Sequence, residues 1–171
     1  MAVIRILTRH AAQHDSLVER LVEELARDAR TGQPFVYINN VGQTGSFHVT
    51  VVWDAWQDLS AQQRSSIIMD ALEQHDPAKR GHITIAMGLT GEEARRLGIL
   101  RFKIQLMPKK CEESQQGQLK KLLRDEGAFE THEGLQLLFR TEEQANEAYD
   151  RLQTAAPGNH WALVREESGQ D

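Results

Sequence analysis

The sequence predicts an α+β fold built as two consecutive units, and three observations carry that prediction. Apolar residues alternate through Phe47, Val49, Val51 and Trp53, then recur at helical spacing through Ile67, Ile68, Ala71 and Leu72. That change of period marks a strand turning a short corner into a helix. Ser16/Glu19, Ser60/Gln63, Thr90/Glu93 and Thr141/Gln144 all have capping-box spacing, the signature of a helix start. Between these starts lie short apolar runs bounded by glycine, proline and asparagine, as strands are.

Taken in order, the first helix starts at Ser16 and buries Leu17, Val18, Leu21, Val22, Leu25, Ala26 and Ala29 before Gly32 and Pro34 end it. Phe35 to Ile38 is a short strand. The turn formers from Asn39 to Gly45 join it to the strand from Ser46, making a hairpin. The second helix begins at Ser60 and stops near Asp76-Pro77. His82 to Met87 is the next strand, and a brief helix from Gly91 to Leu97 ends at Gly98, a left-handed cap. The first unit, residues 1–98, is therefore α-β-β-α-β-α.

The second unit, residues 99–171, opens with a strand from Ile99 to Met107. Leu100, Phe102, Ile104 and Leu106 face one way there, and Arg101, Lys103 and Gln105 face the other. A helix from about Glu112 to Glu126 buries Leu119, Leu122 and Leu123 and ends at Gly127. Leu135 to Phe139 is a strand, Glu142 to Gln153 a helix, and Trp161 to Val164 the last strand before a frayed acidic tail. This β-α-β-α-β order predicts an open sheet with helices on one or both faces.

Composition narrows the functional classes. The 171 residues are 40% hydrophobic and 26% charged, enough to build a core. No apolar run approaches the roughly 20 residues that span a bilayer, and the start Met1 to Leu7 is too short for a signal peptide. The expectation is a soluble, cytoplasmic protein with no membrane contact. Cys111 is the single cysteine, which excludes an intrachain disulfide and a cysteine metal cage. A net charge of −5 is unlike a dedicated nucleic-acid binder. The charge is uneven, however: Arg101, Lys103, Lys109, Lys110, Lys120, Lys121 and Arg124 cluster in one stretch, and the chain beyond is acidic.

The chain has no H-E-x-x-H, G-x-S-x-G or Walker A sequence, and no G-x-G-x-x-G follows a strand. Gly88-Leu89-Thr90-Gly91 has the G-x-x-G spacing of a KH backbone clamp. Glu92 and Glu93 after it would repel phosphate, so a helix-start turn is the better reading. His10 and His14 share a helix face at metal-ligand spacing, but no acid or cysteine completes the set. Trp53 and Trp56, beside Asp54, are recognition aromatics or, more plainly, seals at the edge of the core.

Phe47 to Gln74, with the corner Ala55-Trp56-Gln57-Asp58-Leu59-Ser60 and the later His82-Ile83-Thr84 and Thr90-Gly91-Glu92-Glu93, resembles the BolA-like family. That family has an α-β-β-α-β-α fold akin to class II KH domains. The resemblance covers residues 16–97 and implies a small non-enzymatic module that pairs with a monothiol glutaredoxin and shares an iron–sulfur cluster, or that contacts nucleic acid. It implies that His82 is a metal ligand. The departures are Ser65 where the family's triplet carries histidine, and a hairpin loop, Asn39 to Ser46, without histidine or cysteine. A single imidazole is a poor cluster site, and the residues favour His82 as a strand-start residue bonded to backbone.

The leading expectation is thus an interaction or regulatory module with a protein partner, no catalytic residues and no cofactor. The second is an RNA- or DNA-binding protein using Lys109, Lys110, Lys120, Lys121 and Arg124. The third is an enzyme at the junction of the units, drawing on groups such as His82 and His132.

Overall fold

The computed structural model describes residues 2–27, 32–107, 113–158 and 160–166. The fold is mixed α+β with two separate sheets, as expected. The chain divides into one unit of Met1–Arg30 with Pro34–Leu89 and another of Thr31–Gln33 with Thr90–Asp171.

The N-terminal unit contains α1 (Ala2–Arg27), β1 (Phe35–Val41), β2 (Ser46–Val52), a 3-10 turn at Asp54–Trp56, α2 (Ala61–His75), α3 (Pro77–Arg80) and β3 (Ile83–Leu89). Its sheet order is β1-β2-β3, with β1 antiparallel and β3 parallel to the central β2. Val49 and Val51 face a core that includes Leu17, Val18 and Leu21 of α1, Ile67, Ile68, Ala71 and Leu72 of α2, and both tryptophans. The capping box at Ser60 forms as predicted: the Ser60 hydroxyl accepts from the Gln63 N–H at 3.3 Å, and the Gln63 side chain accepts from the Ser60 N–H at 2.8 Å. Ser16 does not start a helix, because α1 already runs from Ala2. The apolar spacing Ile4, Leu7, Ala11, Val18, Leu21, Leu25 continues across Ser16 and outweighs the local cap signal. Pro77 does not simply stop the chain's helical run; it takes the first position of α3, where its missing N–H costs nothing.

The C-terminal unit contains α4 (Gly91–Arg96), β4 (Phe102–Leu106), α5 (Glu113–Asp125), β5 (Phe129–Thr131), β6 (Gly134–Phe139), α6 (Glu142–Ala155) and β7 (Trp161–Arg165). Its sheet order is β5-β6-β4-β7, antiparallel at every pairing. One face, with Ile104, Leu137, Phe139 and Trp161, packs on Leu119 and Leu123 of α5 and Ala145, Ala148 and Leu152 of α6. The alternation predicted for β4 holds, since Phe102 and Leu106 join that core while Lys103 and Gln105 point to the other face. The sequence reading missed β5, whose three residues are too few to show a period.

The unit boundary falls after Leu89 and not at Gly98, because α4 packs on the second sheet. The Cα of Gly91 comes so near Phe129 of β5 that a Cβ there would lie 2.7 Å from the Phe129 Cβ. Gly88 is equally pressed: a Cβ would meet the Arg64 Cβ at 2.7 Å and Trp56 Nε1 at 3.2 Å. The two glycines of the G-x-x-G therefore serve close packing, and Thr90 between them caps α4 by accepting from the Glu93 N–H at 3.2 Å. The helix-start turn is what forms.

Arg64 Cβ is anchored to the α2 backbone and cannot swing aside. Gly88→Ala is therefore expected to destabilise the protein by about 1–3 kcal/mol through overpacking. Urea unfolding measures this, and an unchanged midpoint would show that α2 and β3 are not in such close contact.

Candidate functional site

Among the described residues, a cluster of opposite charges gathers on the second face of the C-terminal sheet, with Lys103 buried, Arg95, Glu92 and Glu166 partly buried and Glu133 at the rim. Strand pairing sets Lys103 opposite Leu138, and Gln105 opposite Gln136, on this face. Phe129 pairs with Gln136 and so shares the face, with α4 resting on it through Gly91. α4 thereby carries Glu92 and Arg95 over the sheet, and the tight turn after β5 presents His132 and Glu133. That turn is held by the Thr131 hydroxyl, which donates to the Gly134 carbonyl at 2.9 Å and accepts from the Glu133 N–H at 3.2 Å.

These groups form one continuous chain of charge-assisted bonds. Lys103 Nζ, on a side chain only 10% exposed, donates to Glu133 Oε2 at 2.6 Å and to Glu166 Oε1 at 2.9 Å. Arg95 bridges Glu166 Oε1 at 2.8 Å and Glu92 Oε1 at 2.9 Å. His132 Nδ1 stands 3.0 Å from Glu92 Oε2, and Arg96 Nε donates to Glu92 Oε1 at 3.1 Å. Fully buried Gln136 extends the chain, donating to Glu133 Oε2 at 2.8 Å and Gln105 Oε1 at 3.0 Å.

The proton equilibria of Glu92, Glu133, Lys103 and Arg95 are pushed toward the charged form. Burial would raise Glu92, but hydrogen bonds from Arg95, His132 and Arg96 more than offset it and hold its carboxyl at about 2. The Lys103 ammonium lowers Glu133, assisted by Gln136. Burial opposes the charge of Lys103, and Glu133 and Glu166 reverse that and raise it. The bond to Glu92 raises Arg95, against its own burial.

Beside this network lies a cleft of about 510 Å³, at the end of the sheet where β4 and β6 part and α5 passes. Lys103, Gln105, Gln116, Lys120 and Glu133 line it over Leu106, Leu123 and Leu135. Its volume is in the range of small-ligand pockets. Lys120, Lys121 and Arg124 are exposed on α5. No described acid pairs with these three. Lys109, Lys110 and Cys111, singled out in the sequence, lie outside the described residues.

The remaining candidates fall in the N-terminal unit. Trp53 and Trp56 are 2% and 0% exposed and pack edge to face, with centroids 5.1 Å apart at 77°. Trp56 Nε1 donates to the Val51 carbonyl at 3.0 Å, and the Arg20 guanidinium lies 4.8 Å from the centre of the Trp53 ring. They seal the core and present no free stacking face. His82 is exposed at the start of β3, and its backbone is engaged: its N–H donates to Lys79 O at 3.0 Å and its carbonyl accepts from Phe47 N–H at 2.8 Å. His14 pairs with Asp70 at 3.2 Å, and the side chain of His10 lies outside the described residues. His82 belongs to the first unit and His132 to the second. Among the described residues no three His, Cys, Asp or Glu side chains cluster to hold a metal ion, and no helix is long and apolar enough to cross a membrane.

Sequence reasoning missed Glu92, Arg95, Glu133, Gln136 and Glu166 as a site. The legible signal was in the strands: Lys103 and Gln105 alternate with apolar residues in β4, and Gln136 sits between Leu135 and Leu137 in β6. Compared with known proteins, the chain matches no family model, no curated protein and no solved structure.

The depressed value of Glu92 makes stability depend on acid. Its contribution is complete above its ordinary value of 4.5 and is lost as pH falls from there toward about 2. Denaturant unfolding should show the advantage of the wild type over Glu92→Gln shrinking across that window. A gap that is constant with pH would contradict the assigned bonds.

Proposed function

We propose that the chain is a non-catalytic interaction module that receives an acidic surface of a protein partner on the basic flank of α5. The observation that carries this reading is a contrast between two sets of charges in the C-terminal unit. Inside, Lys103, Arg95, Glu92, Glu133 and Glu166 satisfy one another. Outside, Lys120, Lys121 and Arg124 are exposed, and Lys120 borders a cleft floored by leucines.

A catalytic acid or base works best with a value near the working pH. The shifts of Glu92, Glu133 and Lys103 all run the opposite way, fixing charge and supporting a rigid platform. The exposed cations then provide long-range attraction and the leucines lining the cleft provide apolar contact. The BolA-like resemblance makes a monothiol glutaredoxin the first partner to try, and the order of the N-terminal unit, α-β-β-α-β apart from the one-turn α3 before β3, supports keeping that class in view.

The same exposed cations favour a second reading, nucleic-acid binding through phosphate contacts, which would show a steep loss of affinity with salt. One experiment separates the two. The immobilised wild type and a Lys120→Glu/Lys121→Glu/Arg124→Glu variant are exposed to nuclease-treated extract and to purified glutaredoxin. The proposal expects a protein retained by the wild type and bound roughly tenfold more weakly by the variant at low salt, as exposed charge pairs allow. Equal retention by both chains would refute the assignment to α5, and retention abolished by nuclease would establish the second reading.

A further inference from the structure

The two outer strands of the N-terminal sheet are left in different states, and the hydrogen bonds of β2 show why. Phe47 N–H donates to His82 O and Trp53 N–H to Leu89 O, both on the β3 side. Backbone groups alternate along a strand, so the odd residues of β2 face β3 and the even residues face β1. Through the register Tyr37↔Thr50 and Asn39↔His48, the odd residues of β1 bond to β2. Val36, Ile38 and Asn40 therefore point their N–H and C=O groups outward, and no described bond meets them.

β3 is not left in that state. Leu89 O faces β2, so the Ala86 and Gly88 carbonyls face outward, and α2 takes both. The Ser65 hydroxyl donates to Ala86 O at 2.5 Å and Arg64 Nη1 to Gly88 O at 3.2 Å. Among the described residues, α2 meets outward carbonyls of the β3 edge and nothing meets the outward groups of the β1 edge.

Open edges are ordinarily guarded by charge, proline, a bulge or short length. β1 has none of these: it is seven residues, Phe-Val-Tyr-Ile-Asn-Asn-Val, in unbroken register with β2, and Ile38 at its centre is 43% exposed. The outer strands of the other sheet are guarded, β5 by its three residues and Glu130, β7 by Arg165.

We propose that the outer edge of β1 binds the same edge of a second copy of this chain, antiparallel about a two-fold axis through Ile38. The axis places Ile38 opposite Ile38 and Val36 opposite Asn40. The outward groups then form about six hydrogen bonds, two per facing pair. A second copy suits this edge because β1 carries no charged residue, so a chain of net charge −5 sets no like charges opposite each other along the paired strands. The assembly closes at two copies in this proposal, because Arg64 and Ser65 already take the outward Gly88 and Ala86 carbonyls of the far edge. The contact is small, so the dimer is in exchange with monomer at working concentrations.

Sedimentation velocity from micromolar to near-millimolar protein tests this, using the wild type, Ile38→Lys, Asn40→Pro and Ile85→Lys. Ile38→Lys sets like charges across the axis. Asn40→Pro removes an outward N–H without touching the β1–β2 ladder, so its unfolding midpoint should stay near that of the wild type. Ile85→Lys alters an equally exposed isoleucine on β3 and serves as the control. The expected result is a wild-type mass that climbs toward twice the monomer, both β1 variants monomeric throughout, and Ile85→Lys dimerising like the wild type. A wild type that stays monomeric would overturn the proposal, as would a dimer that survives Ile38→Lys. If Asn40→Pro fails to fold, the alternation argument for β1 fails with it.

Discussion

The hydrogen-bond alternation of β2 is the constraint on which the N-terminal unit depends. A central strand has two sides and spends its backbone groups on alternate neighbours. Once Phe47 and Trp53 turn toward β3, the even residues can serve only β1, and the leftover groups of both outer strands are determined. The packing of α2 follows from the β3 leftovers. Arg64 and Ser65 must come close to reach the Gly88 and Ala86 carbonyls, which presses Arg64 onto Gly88 and leaves no room for a side chain there. Trp56 closes the same corner by donating to Val51 O, so the strand-to-helix turn and the guarded edge are one construction.

The C-terminal unit is governed by a different cost, that of burying charge. An isolated buried ion is expensive, and removing one partner of a pair leaves the other uncompensated. Here Lys103, Arg95 and three carboxylates are arranged so that each has at least one opposite partner, and Gln136 supports Glu133 from within the sheet. The arrangement ties α4, the β5–β6 turn and the residue after β7 to β4. The exposed cations of α5, Lys120, Lys121 and Arg124, take no described part in it.

Much of the fold was legible because its signals are local. The Ser60 and Thr90 capping boxes, the left-handed Gly98 with φ 65°, and the alternation of β4 depend on near neighbours in sequence. The misses have the opposite character. Ser16 carried a cap signal that a longer helical period overrode, and β5 was too short to show a period. The unit boundary was misplaced because what assigns α4 is the contact of Gly91 with Phe129, far along the chain. The ion network was invisible for the same reason: Glu92, Lys103, Glu133 and Glu166 meet only after the strands pair. Trp53 and Trp56 were legible as core seals, the plainer of their two readings.

Amide hydrogen exchange along β1, followed residue by residue by NMR in dilute protein, reads this alternation. Slow exchange is expected at Tyr37 and Asn39, whose N–H groups face β2, and fast exchange at Val36, Ile38 and Asn40. The reverse pattern, or uniform protection along the strand at low concentration, would contradict it.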